Sequence, residues 1–409
     1  MRVILHVDLN NFYASVEMKL NPALKDKYVG VSGSVEERHG IILAKSENAK
    51  KMGVKTGMVI KDALKLCPKL VLVEANHDKY IAYSRLVRNI YRNYTDKIES
   101  FGIDECWLDV TSSIKMFGSG EKIANEIRNR VKQELGLTVS VGVSYNKVFA
   151  KLGSDIKKPD ATTVISLENY KSVVWKLPIE NLLFVGHSTK ERLNKINILT
   201  IGDLALAEDD FISKKFGKWG VTLQKYARGE DDSEVLFDDE SSEIKSVGNS
   251  ITSYRDLTSH EDIKIVFTIL AESVSSRLIS YAVGKADTLA IFVRDNNLVS
   301  FTRQCKLNYP TVLSEDFFKT AYELFCKNVK GKFNIRTLGI SVSGFLNKEE
   351  QITFDSLNYD KKRKLTDAVS DIKQKYGNKS VIKGILLKDK KFMREDPEKD
   401  HVVHPDGHI

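Results

Sequence analysis

Residues Ser100–Val110 read S-F-G-I-D-E-C-W-L-D-V and place two adjacent acids, Asp104 and Glu105, between apolar flanks. The flanks predict two antiparallel strands, 97–101 and 106–111, with the acids near the turn that joins them. Taken alone, such a pair is either a set of solubilising strand-end residues or part of a site. Acids elsewhere in the chain distinguish the two interpretations.

The first strand of the chain ends on a third acid. Residues 3–7 form an apolar run that predicts a buried strand, and Asp8 follows it directly. A helix predicted over 120–135 and an alternating strand at 139–143 complete the order β–α–β–β–α–β, with an insertion after the first strand. This order fits a ferredoxin-like sheet, in which the first strand lies beside the central hairpin. We therefore expect Asp8 next to the acid pair.

Three converging carboxylates favour a site for divalent cations. Mg2+ prefers oxygen ligands and is commonly held by one or two carboxylates together with substrate phosphates. Two such ions about 3.5–4 Å apart stabilise both the attacking and the leaving oxygen of a phosphoryl displacement. The pattern predicts a nucleotidyl-transfer enzyme.

Composition bounds the class of protein. The 409 residues suffice for several domains, and the net charge of +8 favours a polyanionic partner. An acidic stretch, 231–243, precedes the basic segment 245–348, which carries 14 Lys and Arg against 9 Asp and Glu. We interpret this as a linker before a module that faces nucleic acid; the alternative is a merely solvated face.

The chain carries no pattern of membrane insertion or secretion. No apolar run approaches the roughly 18 residues of a membrane span, and no signal-peptide cleavage pattern follows the first strand. The four cysteines form no CxxC pair, which is typical of reduced thiols. These features predict a cytoplasmic protein.

Beyond the first domain, residues 168–229 predict short helices separated by glycine-containing loops. A second α/β pattern follows the acidic stretch, and the tail from 388 is expected to be flexible because it is rich in charge. The predicted elements are strands 246–253, 287–294, 299–306 and 335–345, and helices 261–282, 314–329 and 358–376.

Three motifs resemble those of a known family. Val7–Glu17 (V-D-L-N-N-F-Y-A-S-V-E) is similar to the N-terminal signature of Y-family DNA polymerases, the lesion-bypass enzymes. Gly102–Asp109 resembles their S-I-D-E-x-x-L-D motif, with glycine in place of serine, and 140–159 resembles their third signature. The three motifs occur in the family's order, so the chain is identified as a member, closest to the bacterial UmuC/DinB-like branch. Weaker similarity continues to about residue 348.

The resemblance implies a multidomain α/β (α+β) fold, shaped as a right hand with a ferredoxin-like palm, small fingers, a helical thumb and an α/β little finger. The implied domains are the palm at 1–20 and 75–165, fingers at 21–74, thumb at 168–230, acidic linker at 231–243, little finger at 244–348 and a C-terminal extension at 349–409.

The resemblance also assigns the catalytic centre. Asp8, Asp104 and Glu105 are expected to be the catalytic carboxylates and metal ligands, and the backbone carbonyl of Leu9 to contribute as well. The expected cofactor is a pair of Mg2+ ions, for which Mn2+ can substitute. One ion would activate the primer 3′-hydroxyl, and the other would stabilise the departing pyrophosphate.

Nucleotide-binding residues follow from the same motifs. Tyr13 is the expected steric gate, whose ring excludes a 2′-hydroxyl, and the backbone amides of Phe12 and Tyr13 are expected to meet the triphosphate. Lys158 and Lys50 are the expected triphosphate cations. Lys50 stands where the family usually has arginine, and Glu47 replaces a phosphate-facing tyrosine, so the fingers depart from the family pattern.

Contacts with DNA and with a clamp are predicted further along the chain. Gly186 lies in a turn that resembles a helix-hairpin-helix, which grips a DNA phosphate. Gln351, Ile352 and Phe354 resemble a truncated sliding-clamp-binding peptide. The expected little-finger phosphate contacts are the basic residues Lys245, Arg255, Arg294, Arg303, Lys306 and Arg336.

The leading hypothesis is a monomeric, low-fidelity DNA polymerase that copies damaged templates, with primer–template DNA, dNTPs and a sliding clamp as partners. One alternative is a non-catalytic DNA- or clamp-bound accessory protein, although all three carboxylates are present. Another is a palm-type nucleotide cyclase, whose Gly-Gly-acid turn is absent and which would leave the thumb and little finger unexplained.

Overall fold

The computed structural model describes residues 1–33, 40–238, 244–346, 359–377 and 379–392. These residues form two compact units. The described part of the first unit ends at 238, and that of the second begins at 244, so the division falls in the acidic stretch.

The first unit contains eight strands and eleven α-helices within the described ranges. In chain order they are β1 (Ile4–Leu9), α1 (Phe12–Leu20), β2 (Val29–Ser32), β3 (Ile42–Lys45), α2 (Glu47–Lys51), α3 (Ile60–Leu66), β4 (Val71–Glu74), α4 (His77–Tyr91), β5 (Ile98–Ser100), β6 (Glu105–Asp109), α5 (Ile114–Phe117), α6 (Gly120–Arg130), β7 (Val139–Ser144), α7 (Lys147–Ile156), β8 (Thr162–Val164), α8 (Tyr170–Val173), α9 (His187–Asn194), α10 (Ile201–Leu206) and α11 (Asp209–Arg228).

The central sheet has the strand order β5-β6-β1-β7-β8. Strand β1 is buried along its whole length and pairs antiparallel with both β6 and β7. Side chains alternate between the faces of a strand, so Leu5 and Val7 enter the core beneath α4 and α6, while His6 and Asp8 lie on the opposite face. The predicted ferredoxin-like arrangement is present, and β8 adds a parallel edge strand that the sequence patterns did not indicate.

Helix α7 packs closely on β7 because Gly142 has no side chain. A Cβ atom at Gly142 would lie 1.9 Å from the Ala150 carbonyl oxygen and 2.5 Å from the Ser154 amide nitrogen. Both of these are backbone atoms, so neither can move aside without displacing the helix. The close approach sets α7 against the sheet face that carries His6 and Asp8.

We expect Gly142→Ala to lower the free energy of unfolding by about 3 kcal/mol or more, because the new methyl group forces α7 off the sheet. Urea unfolding followed by the fluorescence of Trp107, which is buried on β6, measures this loss. Gly186→Ala is the matched control, since a Cβ atom there meets nothing within 4 Å. Equal unfolding midpoints for Gly142→Ala and the unmodified protein would contradict the close-packing argument.

A smaller sheet, β3-β2-β4, carries the residues inserted after α1. Two short apolar runs, 28–32 and 41–44, predict a hairpin, and β2 and β3 pair antiparallel as expected, whereas β4 pairs parallel to β2 and was not predicted. Helix α2 begins after Ser46, whose hydroxyl accepts a hydrogen bond from the Ala49 amide at 3.3 Å. This cap fixes the start of the short helix that carries Glu47 and Lys50.

Helices α8–α11 pack around a hydrophobic core that includes Ile179, Leu193, Ile201 and Leu223 and that also takes in Phe149 of α7. Thr200 and Asp203 form a capping box at the start of α10. Helix α11 is interrupted at Gly217, where φ is 65°. The segment therefore matches the predicted series of short helices, with α11 as a longer, kinked exception.

The second unit is a four-stranded antiparallel sheet, β11-β10-β12-β9, with two helices on one face. Its order of elements is the one predicted. The bounds are β9 (Ser246–Leu257), α12 (His260–Ser280), β10 (Lys285–Asp295), β11 (Ser300–Thr311), α13 (Ser314–Asn328), β12 (Ile335–Leu346) and α14 (Tyr359–Tyr376).

The expectation of a flexible tail from 388 is wrong for residues 388–392. Phe392 is 1% exposed and its ring lies 5.1 Å from that of Tyr254. Asp389 accepts hydrogen bonds from the Tyr254 hydroxyl at 2.7 Å and from Arg255 at 3.1 Å. A single buried aromatic residue with a paired acid is enough to hold this stretch against the second unit, despite its charge.

Candidate active site

A cavity of about 320 Å³ opens where β1 ends and β6 begins. Its walls combine residues of the central sheet with residues of the β3–α2 region. Carboxylates and ammonium groups dominate the lining, which includes Asp8, Asp104, Glu105, Glu47, Lys45, Lys50 and Lys158.

Strand register brings the three predicted acids together. Asp8 lies directly opposite Glu105 in the β1–β6 pair, and the Leu9 amide donates to the Asp104 carbonyl at 3.0 Å. All three acids line the same cavity, as does Leu9. Asp8 and Glu105, which are 97 positions apart along the chain, thus meet at one strand end.

Two lysines from α7 and the loop after it neutralise part of this charge. Lys151 Nζ lies 2.7 Å from Glu105 Oε2 and 3.5 Å from Asp8 Oδ2. Lys158 Nζ lies 2.7 Å from Asp8 Oδ2 and 2.8 Å from Asp155 Oδ1. Sequence reasoning identified Lys158 but missed Lys151, although the spacing from Lys151 to Asp155 is that of one helical face.

His6 lies beneath the acids and was also missed. It is fully buried, with Nδ1 2.8 Å from Ser154 Oγ and Nε2 3.3 Å from Glu105 Oε2. Burial, followed by the charge of Lys151, lowers the pKa of His6 well below its ordinary value, so the ring is neutral. The sequence did offer one sign of this position: His6 lies two residues before Asp8 on the same strand, so both side chains point to the same face.

The carboxylates carry more negative charge than the lysines compensate. Burial, followed by the Glu105 charge, raises the pKa of Asp8, although Lys158 opposes this. Burial, then Glu105 and Asp8, raises the pKa of Asp104 to about 7. Crowded acids of this kind favour the addition of a cation.

The donor set fits divalent metal ions of the hard class, because it consists of carboxylate and carbonyl oxygens. Across the described ranges, no three His, Cys, Asp or Glu side chains are gathered closely enough to form a metal site by geometry alone. Asp8 and Glu105 instead form ion pairs with the ammonium groups of Lys158 and Lys151, and these groups supply positive charge beside the carboxylates.

Tyr13 packs beside the cavity. Its ring is stacked on Tyr80 with centroids 4.1 Å apart, and His77 meets its edge at 5.8 Å. Burial, followed by the Asp104 charge, raises the pKa of Tyr13 to about 12, so the hydroxyl stays protonated. The neighbouring Phe12 begins α1 and lines the cavity itself.

Glu47 and its neighbours form the opposite wall. Glu47 Oε1 accepts a hydrogen bond from Asn11 Nδ2 at 2.9 Å and lies 3.5 Å from Lys50 Nζ. Lys45 Nζ donates to Thr56 Oγ1 at 2.9 Å. Burial, followed by the charge of Lys50, lowers the pKa of Lys45. Lys45 thus joins Lys50 and Lys158 as the third lysine that lines the cavity. Unlike the other two, it was not among the predicted site residues.

The more distant predicted contacts fare differently. Gly186 is the N-cap of α9, as the predicted hairpin turn requires. Arg255 is engaged by Asp262 at 2.6 Å and by Asp389, so it braces the second unit, and its role as a DNA contact stays a prediction. Gln351, Ile352 and Phe354 lie outside the described residues. The side chains of Lys245, Arg294, Arg303 and Lys306 are exposed, and that of Arg336 is partly exposed.

Comparison with known proteins settles the family. A model described as the impB/mucB/samB family matches residues 7–155, and one described as the C-terminal domain of that family matches 244–354. The chain belongs to this family, the Y-family DNA polymerases. The chain has the mixed α/β fold of a Y-family polymerase. It is a DNA-directed DNA polymerase of translesion synthesis.

Individual Y-family relatives align over nearly the whole chain. DNA polymerase IV of Acetivibrio thermocellus is 49% identical over 397 residues, which cover 96% of this chain and 99% of that protein. DNA polymerase IV 1 of Bacillus subtilis is 37% identical over 395 residues, or 95% of this chain and 94% of that protein.

A solved structure shares the Y-family fold. It is the Y-family DNA polymerase chimera Dbh-Dpo4(243-245)-Dbh, with a TM-score of 0.73, 25% identity, and coverage of 85% of this chain and 100% of that chain. Among the helices of the described ranges, none has the length and apolar character to cross a membrane. The predicted bacterial DinB-like branch is confirmed, and a nucleotide cyclase is excluded.

Proposed function

We propose that this polymerase adds dNMPs to a primer 3′-end with Asp8, Asp104 and Glu105 as its catalytic carboxylates. The observation that carries the proposal is the convergence of these acids, from two paired strands, on one cavity that also contains lysines. Opposite charges in one cleft suit a substrate whose triphosphate needs cations and whose reacting centre needs a metal site.

Two Mg2+ ions, replaceable by Mn2+, are the cofactors that the donor set accommodates, held by the three carboxylates and the Leu9 carbonyl. When bound, such ions lower the pKa of the attacking hydroxyl and stabilise the leaving pyrophosphate. Until then, Lys151 and Lys158 hold the acids in place through their ion pairs. Burial lowers the pKa of Lys158, but the charge of Asp8 outweighs this effect, so the net pKa is raised. The ammonium group therefore stays charged and available to a triphosphate.

The sugar and phosphate of the incoming nucleotide are assigned to α1 and the fingers. Tyr13 excludes a 2′-hydroxyl, and the amides of Phe12 and Tyr13, with Lys50 and Lys158, bind the triphosphate. The stack of Tyr13 on Tyr80 supports the first role, because it holds the ring in one orientation. Low fidelity is consistent with the small three-stranded fingers sheet, which would enclose a nascent base pair loosely.

The remaining assignments stay predictions. They are the domain bounds of the palm (1–20 and 75–165), fingers (21–74), thumb (168–230) and little finger (244–348), clamp binding through 351–354, a monomeric state and a cytoplasmic location. DNA contacts are proposed for Gly186, for the exposed basic residues Lys245, Arg294, Arg303 and Lys306, and for the partly exposed Arg255 and Arg336.

Extension of a labelled primer on undamaged and damaged templates tests the function, in Mg2+ and in EDTA, with and without a sliding clamp. We expect extension in Mg2+ that continues past the lesion and none in EDTA. Binding of primer–template without extension under any metal condition would favour the non-catalytic accessory protein instead.

Glu47→Gln is expected to lower the KM for dNTP by about threefold to fivefold with little change in kcat. Removing the carboxylate relieves its repulsion of phosphate and frees Lys50, and a partly exposed charge of this kind contributes about 1 kcal/mol or less. Steady-state single-nucleotide extension separates KM from kcat. Asp62→Asn is the matched control, since Asp62 is exposed on α3 and pairs with Lys65. An unchanged or increased KM in Glu47→Gln would assign Glu47 a purely structural role.

A further inference from the structure

Two aromatic side chains meet on the surface of the helical segment 168–230. Phe184 is 50% exposed and Trp219 is 47% exposed. Their ring centroids lie 5.8 Å apart with an interplanar angle of 63°, and Tyr226 stands behind Phe184 at 6.3 Å. Neither side chain belongs to the cavity of the catalytic acids, and half of each ring is open to solvent.

The backbone departs from regular geometry at Phe184 and two residues before Trp219. Phe184 has a φ of 68°, in the left-handed region that bulky residues rarely adopt and where glycine would be unstrained. On the other side, Gly217 has a φ of 65° and interrupts α11 two residues before Trp219. Strain of this kind persists where the surroundings enforce it and often marks a functional position. Here it presents an aromatic ring where a glycine would make the turn more easily.

The surroundings of the aromatic pair are basic. Helix α11 carries five basic residues against two acids, and Lys218, next to Trp219, is exposed. Gly186, two residues after Phe184, is the N-cap of α9. On α9, Lys190 pairs with Glu180 at 2.7 Å, whereas Arg192 donates to the Lys215 carbonyl of α11 at 3.2 Å and adds to the positive charge there. The excess positive charge therefore lies on the Trp219 side and favours a polyanion.

We propose that Phe184 and Trp219 form a stacking platform for an unpaired base of DNA. Aromatic rings beside basic side chains are the combination by which proteins hold single strands, with bases on the rings and phosphates on the cations. The platform is a DNA contact separate from the phosphate grip proposed at Gly186, because it needs a free base face. It also accounts for retention of a strained aromatic residue at position 184.

Binding of the full-length protein to a fluorescein-labelled single-stranded oligodeoxynucleotide, followed by anisotropy, tests the platform. We expect Trp219→Ala and Phe184→Ala each to weaken binding about tenfold, and Trp219→Phe to retain most of it. Binding to a blunt duplex of the same length should stay unchanged. Equal weakening for the duplex would overturn the assignment to an unpaired base.

Intrinsic fluorescence gives a second readout. Trp107 is buried and Trp175 is partly buried, so an unlabelled oligonucleotide should quench mainly Trp219. The quenching should disappear in Trp219→Phe, and its persistence there would overturn the proposal.

Two controls separate the platform from general damage to this segment. Phe184→Gly suits the backbone at φ 68°, so it should remain folded yet bind the single strand as weakly as Phe184→Ala. Leu206→Ala removes a 73% exposed apolar side chain elsewhere in the segment and should bind normally. Normal binding by Phe184→Gly, or weak binding by Leu206→Ala, would contradict the platform. Because all these variants should still extend a primer at saturating primer–template, loss of the platform is distinguishable from loss of the polymerase function.

Discussion

Asp104→Asn is expected to reduce primer extension by about a thousandfold or more while leaving primer–template binding nearly intact. The amide keeps the size of the side chain but removes the negative charge that a metal site needs. Single-nucleotide extension in Mg2+ measures the loss, and anisotropy with labelled primer–template measures binding. Near-normal synthesis by Asp104→Asn would remove Asp104 from the catalytic centre.

Asp109→Asn is the matched control, because Asp109 ends the strand that begins beside Asp104. Its carboxylate accepts hydrogen bonds from the Thr111 amide and hydroxyl, at 3.0 and 2.5 Å, and Asp109 does not line the cavity. We expect it to retain extension. A comparable loss in both variants would point to damage of the hairpin.

The same Asp104→Asn substitution should stabilise the metal-free protein near neutral pH. The pKa of Asp104 is raised to about 7 in the folded chain, so the folded state binds more protons than the unfolded state between about pH 4 and 7. Stability from this group therefore falls as pH rises through that window. In EDTA, the variant should not show this loss of stability with rising pH. Thermal unfolding at several pH values measures the difference between the two proteins.

Tyr13→Ala is expected to raise ribonucleotide incorporation relative to deoxyribonucleotide by about one to two orders of magnitude. In the proposed role, the ring, held by its stack on Tyr80, would leave no room for a 2′-hydroxyl, and such a clash is worth about 1–3 kcal/mol. The ratio of kcat/KM for rNTP and dNTP measures the change.

Tyr13→Phe keeps the ring and loses only the hydroxyl, so it should discriminate between the sugars as the unmodified protein does. Unchanged discrimination in Tyr13→Ala would remove the gate from this position. Loss of discrimination in Tyr13→Phe as well would assign the selection to the hydroxyl.

Local pattern predicted the site's acids because strands alternate strictly. An apolar run that ends on Asp8, and a hairpin with acids at its turn, leave few ways to pair within a ferredoxin-like sheet. The departures of the fingers at Glu47 and Lys50 were equally visible. The sequence did not show whether Glu47 would repel phosphate or bind a neighbouring side chain, because its hydrogen-bond partner Asn11 lies 36 residues away.

Lys151 and His6 show where local reasoning stopped. Each has a recognisable spacing, but that spacing does not tell which neighbour the side chain meets. Lys151 reaches Glu105 because α7 lies against β7 at Gly142, where the strand meets backbone atoms of two successive turns of the helix. Similarly, Arg255 was assigned to DNA because its charge was visible, while Asp389, 134 residues later, was not a foreseeable partner.

Periodicity, motif order and charge were therefore sufficient for most of the elements, although not for β4 and β8, and for the family and the three acids. Each of these depends on neighbours within a few residues or on one sheet register. The ion pairs of the lysines, the buried histidine, the anchored residues 388–392 and the strained aromatic pair came from contacts between segments far apart in the chain. Such contacts are set by the distance at which whole helices and strands pack. That distance depends on every side chain between the two elements, so no single local stretch of sequence determines it.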